Sequence, residues 1–384
     1  MLISKDIQYI GVFDQEIDLF EGLYPVPDGV SYNSYVILDE KIAVMDTVDA
    51  HFSQTWLNNL QAVLKDRQPD FLIIHHMEPD HSASIRLLMD AYPDVIIVSS
   101  AKAFPMMKAF FGDDYPTRRM IIKDGDQLCL GRHKLSFLAA PMVHWPEVIM
   151  TWDQTEGVLF SADAFGSFGP LDEASDWSAE AARYYFGIVG KYGAQVQAVL
   201  KKMHTPDIRR ICPLHGPALE GPAITDALRL YDLWSSYQAE RSGVVIAHAS
   251  VYGNTRAAAE KLADNLRSAG IHVVVHDLNR CDLSQAISDA FRFDRLVLAA
   301  STYNAGVFPP MRSFLHGLTE RGYGHRTIGL IENGSWAPMA AKVMREMLDV
   351  CKELVFPEPI VTIRSALNED SEAQLASLSQ ALTH

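Results

Sequence analysis

The chain has 384 residues, 48% of them hydrophobic and 21% charged, and a formal net charge of −15. At ~150 residues per domain this is enough for two or three domains, each with its own core, and it excludes a disordered or low-complexity chain. The acidic balance argues against nucleic acid or an anionic membrane as a partner, because like charges repel.

The N-terminal stretch from Met1 to Phe13 mixes Lys5, Asp6 and Gln8 into its apolar residues. It lacks a basic start followed by an apolar run, so no signal peptide is expected, and no later run is long enough to span a bilayer. Ser31 to Leu38 and Ile42 to Asp46 alternate as paired strands joined by a turn at Asp39-Glu40-Lys41. Ser53 to Leu64 carries Trp56, Leu57, Leu60, Val63 and Leu64 on one helical stripe. Phe71 to Ile74 is a short buried strand. Further strands are predicted at Val95 to Val98, Lys134 to Ala139, Val148 to Trp152 and Gly157 to Phe160, and helices at Ala101 to Phe111 and Ala179 to Met203. This is the text of two sheets flanked by helices.

After a helical stretch from Thr225 to Glu240 the rhythm changes. Strands at Val244 to Ala249, Ile271 to Asp277, Leu296 to Ala300, Thr327 to Ile331 and Ile360 to Ile363 alternate with helices. The helices are predicted at Thr255 to Ser268, Leu283 to Ala290, Pro310 to Gly317, Pro338 to Cys351 and Ser371 to Leu382. Strict alternation predicts a doubly wound parallel sheet. The join is placed at Ser242-Gly243, giving domains 1–242 and 243–384. The cysteines Cys129, Cys212, Cys281 and Cys351 are scattered and form no C-x-x-C pair. That excludes a cysteine-ligated metal module, argues against a disulfide framework, and points to a reducing cytoplasm.

The densest chemistry is His76-Met77-Glu78-Pro79-Asp80-His81, with four potential ligands in six residues. In an extended segment, His76, Glu78 and Asp80 would face one way, and His81 could turn in at the end. A polar surface turn is the bland alternative, but two His and two carboxylates at this alternation suit a metal better. One short run cannot close two metal spheres, so distant ligands are needed. His144, Asp163 and His215 each stand just beyond an apolar strand. Taken alone, each could be a buried hydrogen-bonded His or a capping Asp. The remaining histidines, His51, His75, His133, His204, His248, His272, His276, His316, His325 and His384, are read as structural or surface residues.

In the second half, strand Val244 to Ala249 runs into Ser250-Val251-Tyr252-Gly253-Asn254-Thr255 and a helix. Hydroxyls and a glycine at a helix N-terminus make an anion site, or simply a helix cap. No G-x-x-x-x-G-K-[ST] or G-x-G-x-x-G is present, which argues against a nucleoside triphosphate or a dinucleotide. Ser301-Thr302-Tyr303-Asn304-Ala305-Gly306 follows the third strand, and Asn333-Gly334-Ser335-Trp336 the fourth. In a doubly wound sheet such loops converge on the ligand. Tyr303 and Trp336 could flank a planar ring of that ligand, or be ordinary core aromatics.

H-x-[H/E]-x-D-H followed by a distant His, Asp and His resembles the metallo-β-lactamase fold, and Glu78 at the third position resembles its flavodiiron variant. The stretch from Gly243 to His384 resembles a flavodoxin. Together these resemblances cover nearly the whole chain and match flavodiiron proteins in their two-domain form, without a rubredoxin-like extension. They imply an αββα sandwich followed by a flavodoxin-like sheet. They imply one iron held by His76, Glu78 and His144, another by Asp80, His81 and His215, Asp163 bridging, and flavin mononucleotide (FMN) in the three loops. They imply reduction of dioxygen to water or of nitric oxide to nitrous oxide, electrons from rubredoxin or a similar small carrier, and a head-to-tail homodimer or dimer of dimers. A zinc hydrolase fused to a flavodoxin-like electron-transfer domain is the rival reading, and Glu78 in place of the hydrolases' usual His speaks against it. A second rival is an electron-transfer module whose first domain is only a scaffold, and the complete ligand set speaks against that.

Overall fold

The computed structural model describes residues 2–171, 177–203 and 206–383. His204 and His384 lie outside them. The chain separates into two compact units, Met1–Asp232 and Leu233–His384. The expected join at Ser242-Gly243 falls within the strand Arg241–Ala249.

The first unit holds two six-stranded sheets. One runs, in spatial order, Ile7–Tyr9, Tyr35–Ile37, Ala43–Met45, Phe71–Ile73, Ile96–Ser100 and Arg119–Ile122. The other runs Gln127–Cys129, Lys134–Ala139, Ile149–Asp153, Val158–Phe160, Arg210–Cys212 and Leu219–Glu220. Side chains alternate across the first sheet, as the pleat requires. Val36, Val44, Leu72 and Ile97 pack with Trp56, Leu60, Leu88 and Phe104 of the helices outside it. Ile37, Met45, Ile73 and Val98 meet Leu135, Phe137, Ile149 and Phe160 of the second sheet. Both faces of the central strands are therefore covered, which is why they read as continuous apolar runs rather than as alternating ones.

The second unit is a five-stranded parallel sheet in the order Val273–Asp277, Arg241–Ala249, Phe293–Tyr303, Thr327–Asn333 and Val361–Ile363. That is the 2-1-3-4-5 order of flavodoxin-like sheets. Helices Asn254–Ser268 and Glu369–Ala381 pack Ala258, Leu262, Leu375 and Leu378 on Val244, Ile246, Val297 and Ile331. No helix among the described residues is long and apolar enough to cross a membrane.

Three expectations need correction. Ser31 to Leu38 is two strands, Val30–Tyr32 and Tyr35–Ile37, which pair with different partners. The break comes at Asn33, whose side chain turns inward to other loops. The single helix expected from Ala179 to Met203 is interrupted. Trp177–Tyr184 is α-helical, Tyr185–Val189 is a π-helical stretch, Gly190–Tyr192 a 3-10 turn, and Gly193–Met203 α-helical again. At Gly187 the backbone lies so close to Tyr24 that a Cβ would sit 2.8 Å from its ring. The run His76 to His81 is not extended throughout, because Pro79–Ser82 forms a helical turn with Pro79 in its first position.

Candidate metal centre and flavin cavity

The seven candidate ligands converge, although a helical turn replaces the alternation expected to aim them. His76 and Glu78 lie in the loop after strand Phe71–Ile73, while Asp80 and His81 project from the turn Pro79–Ser82. His144 comes from the loop between Lys134–Ala139 and Ile149–Asp153. Asp163 follows strand Val158–Phe160, and His215 follows Arg210–Cys212.

These residues form two groups that could each hold a metal ion: His76, Glu78, His144 and Asp163, and Asp80, His81 and His215. In the first, Nε2 of His76 lies 3.1 Å from Glu78 Oε2, 3.2 Å from His144 Nε2 and 3.2 Å from Asp163 Oδ2. His144 Nε2 lies 3.0 Å from Glu78 Oε2 and 3.1 Å from Asp163 Oδ2. Such edges suit an ion ~2 Å from each atom. In the second, His81 Nε2 lies 3.0 Å from His215 Nε2, 3.2 Å from Asp80 Oδ2 and 3.3 Å from Asp163 Oδ1. Asp163 thus offers one oxygen to each group. Both oxygens of Asp80 and of Asp163 are buried with no hydrogen-bond partner. Buried carboxylates without donors are costly unless a cation meets them, so the donor set fits metal.

The electrostatics agree. Burial alone would push the Glu78 carboxyl up, but bonds from His144 and His76 outweigh it and hold the group well below the carboxylate range. Burial would lower His144, yet the adjacent carboxylates of Asp163 and Glu78 raise it to about 9. Asp163 is held far down by His76, His144 and His81 despite complete burial.

Sequence reading missed the residues that hold these ligands. Glu147 Oε1 accepts from His76 Nδ1 at 2.8 Å and from the Met77 backbone N–H at 2.9 Å. Its only sequence signal is a carboxylate three residues after His144. His215 Nδ1 donates to the Ser31 carbonyl at 2.7 Å. Buried Asp46 accepts from the His75 backbone N–H and pairs with its ring, whose Nε2 meets Thr151 Oγ1 at 2.7 Å. Trp145 and Tyr32, given no role from sequence, present rings 5.1 Å from His76 and 6.0 Å from His215. A third group, Asp6, His133 and Glu156, already holds a cation, because Arg132 pairs with both carboxylates.

In the second unit a cavity of about 530 Å³ opens at the carboxyl ends of the strands. Ser250, Val251, Tyr252, Asn254, Thr255, Ser301, Thr302, Tyr303, Asn304, Ala305, Asn333, Gly334, Ser335 and Trp336 line it, joined by Ala337, Met339 and Ser365, which the sequence reading did not single out. Gly253 and Gly306 shape it without lining it. Gly253 takes φ +95 at the start of helix Asn254–Ser268, and no side chain caps that helix. Its first-turn N–H groups are thus left for a phosphate. Gly306 closes the two-residue turn Asn304-Ala305, both at positive φ. Some side chains are already committed: Thr302 Oγ1 accepts from Met339 and Ala340 N–H, and the Asn333 amide pairs with the Ser365 backbone. Trp336 is 89% and Tyr252 93% exposed, and Tyr303 45%. None of the three is a core aromatic. The flavodoxin-like sheet implies FMN, and the uncapped helix and flanking aromatics fit it.

Comparison with known proteins agrees with both halves. Residues 30–216 match the ODP family beta lactamase, and 245–355 a flavodoxin domain. The chain is 30% identical over 333 residues to the anaerobic nitric oxide reductase flavorubredoxin of Vibrio vulnificus, covering 83% of this chain and 66% of that protein. It is 28% identical over 357 residues to the rubredoxin-oxygen oxidoreductase of Megalodesulfovibrio gigas, covering 90% of this chain and 88% of that one. The solved structure of rubredoxin oxygen:oxidoreductase from Desulfovibrio gigas superposes with a TM-score of 0.92 at 25% identity, over 100% of this chain and 97% of that one. The chain spans about two thirds of the flavorubredoxin's length, but nearly all of the Desulfovibrio structure. The chain belongs to the flavodiiron protein family.

Proposed function

We propose that the chain reduces dioxygen to water or nitric oxide to nitrous oxide at a pair of irons, with electrons arriving through FMN. His76, Glu78 and His144 would hold one iron, Asp80, His81 and His215 the other, and Asp163 would bridge them. The observation that carries this reading is Asp163, with Oδ2 3.2 Å from His76 Nε2 and Oδ1 3.3 Å from His81 Nε2. When bound, two irons and one flavin together supply the four electrons that dioxygen needs. The protein's part is to place and charge the site. Three carboxylates offset most of the charge of two divalent ions, and imidazoles complete a set suited to redox iron. The rings of Phe20, Tyr184 and Tyr32 pack around His215 and keep it in place.

In the flavin domain, the first loop and the start of helix Asn254–Ser268 would bind the phosphate, with Tyr303 and Trp336 flanking the ring. The functional domains are taken as 1–242 and 243–384. The named relatives support rubredoxin or a similar small carrier as donor. The active unit is a head-to-tail homodimer or dimer of dimers, in which the flavin of one chain serves the irons of the other. The four free cysteines suit the cytoplasm.

The test is metal and flavin content, followed by turnover with dioxygen and with nitric oxide on one preparation. Protein that is active with zinc alone would return the hydrolase reading.

A further inference from the structure

On the far side of their rings the candidate histidines differ: among the described residues His81 Nδ1 is buried without a hydrogen-bond partner, whereas His76 and His215 each have one, and of different kinds. His215 Nδ1 donates to a neutral backbone carbonyl, that of Ser31. His76 Nδ1 donates to the Glu147 carboxylate at 2.8 Å, with both side chains essentially buried. Glu147 is itself fixed. Its Oε1 also accepts from Met77 N at 2.9 Å, and Ser100 Oγ donates to its backbone carbonyl at 2.8 Å. Its Oε2 is buried and makes no hydrogen bond.

We propose that Glu147 is a positioning residue that locks His76 with Nε2 toward the metal and places a second negative charge on that side, making the His76-side iron the one that holds the ferric state more strongly. The proposal rests on the di-iron reading above. A carboxylate behind a ligating imidazole fixes its tautomer and raises its basicity. The His76 group would then have Glu78 at the metal and Glu147 behind it, whereas the His81 and His215 group has Asp80 alone. A charge that close favours the more highly charged ion. The two irons would therefore differ in potential although their ligand counts match.

The structure offers a clean substitution. Both hydrogen bonds go to Oε1 and none to Oε2, so in Glu147→Gln the amide oxygen can accept both while the charge is lost. The experiment compares iron-reconstituted wild type, Glu147→Gln and Glu147→Ala. Iron per chain, the iron potentials (from a redox titration of the half-reduced state's magnetic resonance signal) and the FMN potential are measured. Glu147→Gln should keep its iron and FMN but hold ferric relative to ferrous iron about tenfold less well, a rise of about 59 mV in one iron couple. Glu147→Ala should lose iron 10- to 100-fold more readily, a magnitude typical of outer-shell partners. The FMN potential should stay put in both. If wild type binds two irons and neither iron couple moves in Glu147→Gln, the role of Glu147 is overturned and the di-iron reading stands. If wild type takes up no iron, the di-iron reading falls and takes this proposal with it. Should Glu147→Gln not fold, Glu147→Asp keeps the charge but draws it back from His76, and an unmoved couple in that variant overturns the proposal equally.

Discussion

The side-chain amide of Asn33 donates to the backbone carbonyl of Gly216 at 2.8 Å, across 183 positions of chain. A second bond from the same nitrogen reaches the Pro213 carbonyl at 2.9 Å. One buried amide thus clamps the loop that presents His215. Asn33→Ala would leave the buried Gly216 carbonyl without its donor and the Pro213 carbonyl with only the Tyr35 hydroxyl at 3.2 Å. A loss of about 2 kcal/mol is expected in urea unfolding of the metal-free protein. Metal should also be held less tightly, with FMN content unchanged.

Glu78 offers a hard, charged oxygen between His76 and His144. Glu78→His replaces it with neutral imidazole, which suits zinc and disfavours ferric iron. The variant should fold and bind FMN, lose most gas reduction, and gain zinc at the expense of iron. Metal content and oxygen uptake on the same sample check this, with flavin absorbance as control. Wild-type uptake would show that Glu78 is dispensable to the site.

Gly253 sits at φ +95, where a side chain meets no neighbour but the backbone is strained. Gly253→Ala should cost about 1 kcal/mol and weaken FMN several-fold by shifting the loop ahead of helix Asn254–Ser268. Fluorescence titration of flavin-free protein measures it. Equal FMN affinity in the variant would mean that this backbone does not shape the phosphate site.

The metal-free protein should lose stability as pH rises. Burial opposes charge on His144, but Asp163 and Glu78 raise its folded value to about 9, against about 6.5 when unfolded. The folded state therefore binds the extra proton more tightly. That contribution is complete below about pH 6.5 and gone once pH passes about 9. Metal must displace the proton, so uptake should strengthen over the same window. Melting temperatures from pH 6 to 9.5, with and without metal, should converge at the acid end and part at the alkaline end. A flat metal-free profile would contradict the charged cluster.

Chains carrying Asp163→Ala can be mixed with chains altered in the loop from Ser250 to Thr255. If electrons cross between subunits, the mixture should recover activity that neither parent has. Mixtures that stay inactive while subunits demonstrably exchange would rule out the head-to-tail arrangement.

The sequence by itself determined both folds, because buried strands and amphipathic helices declare themselves through local periodicity. It also named the seven residues that the fold brings together as two candidate metal groups, since His and carboxylates packed this densely beyond apolar strands have few other uses. Local pattern could not show that Asp80 and His81 stand on a helical turn, because Pro79 overrides an alternation that reads as extended. Nor could it show the break in the helix after Tyr184, which a tight approach of Gly187 to Tyr24 accompanies. Only the tertiary structure decided which nitrogen of each histidine faces the cluster and what stands behind it. Glu147 behind His76 and the Asn33 clamp on Gly216 are such cases. Those partners lie 71 and 183 positions apart, and a hydrogen bond is set by direction and distance in space, about which sequence spacing is silent.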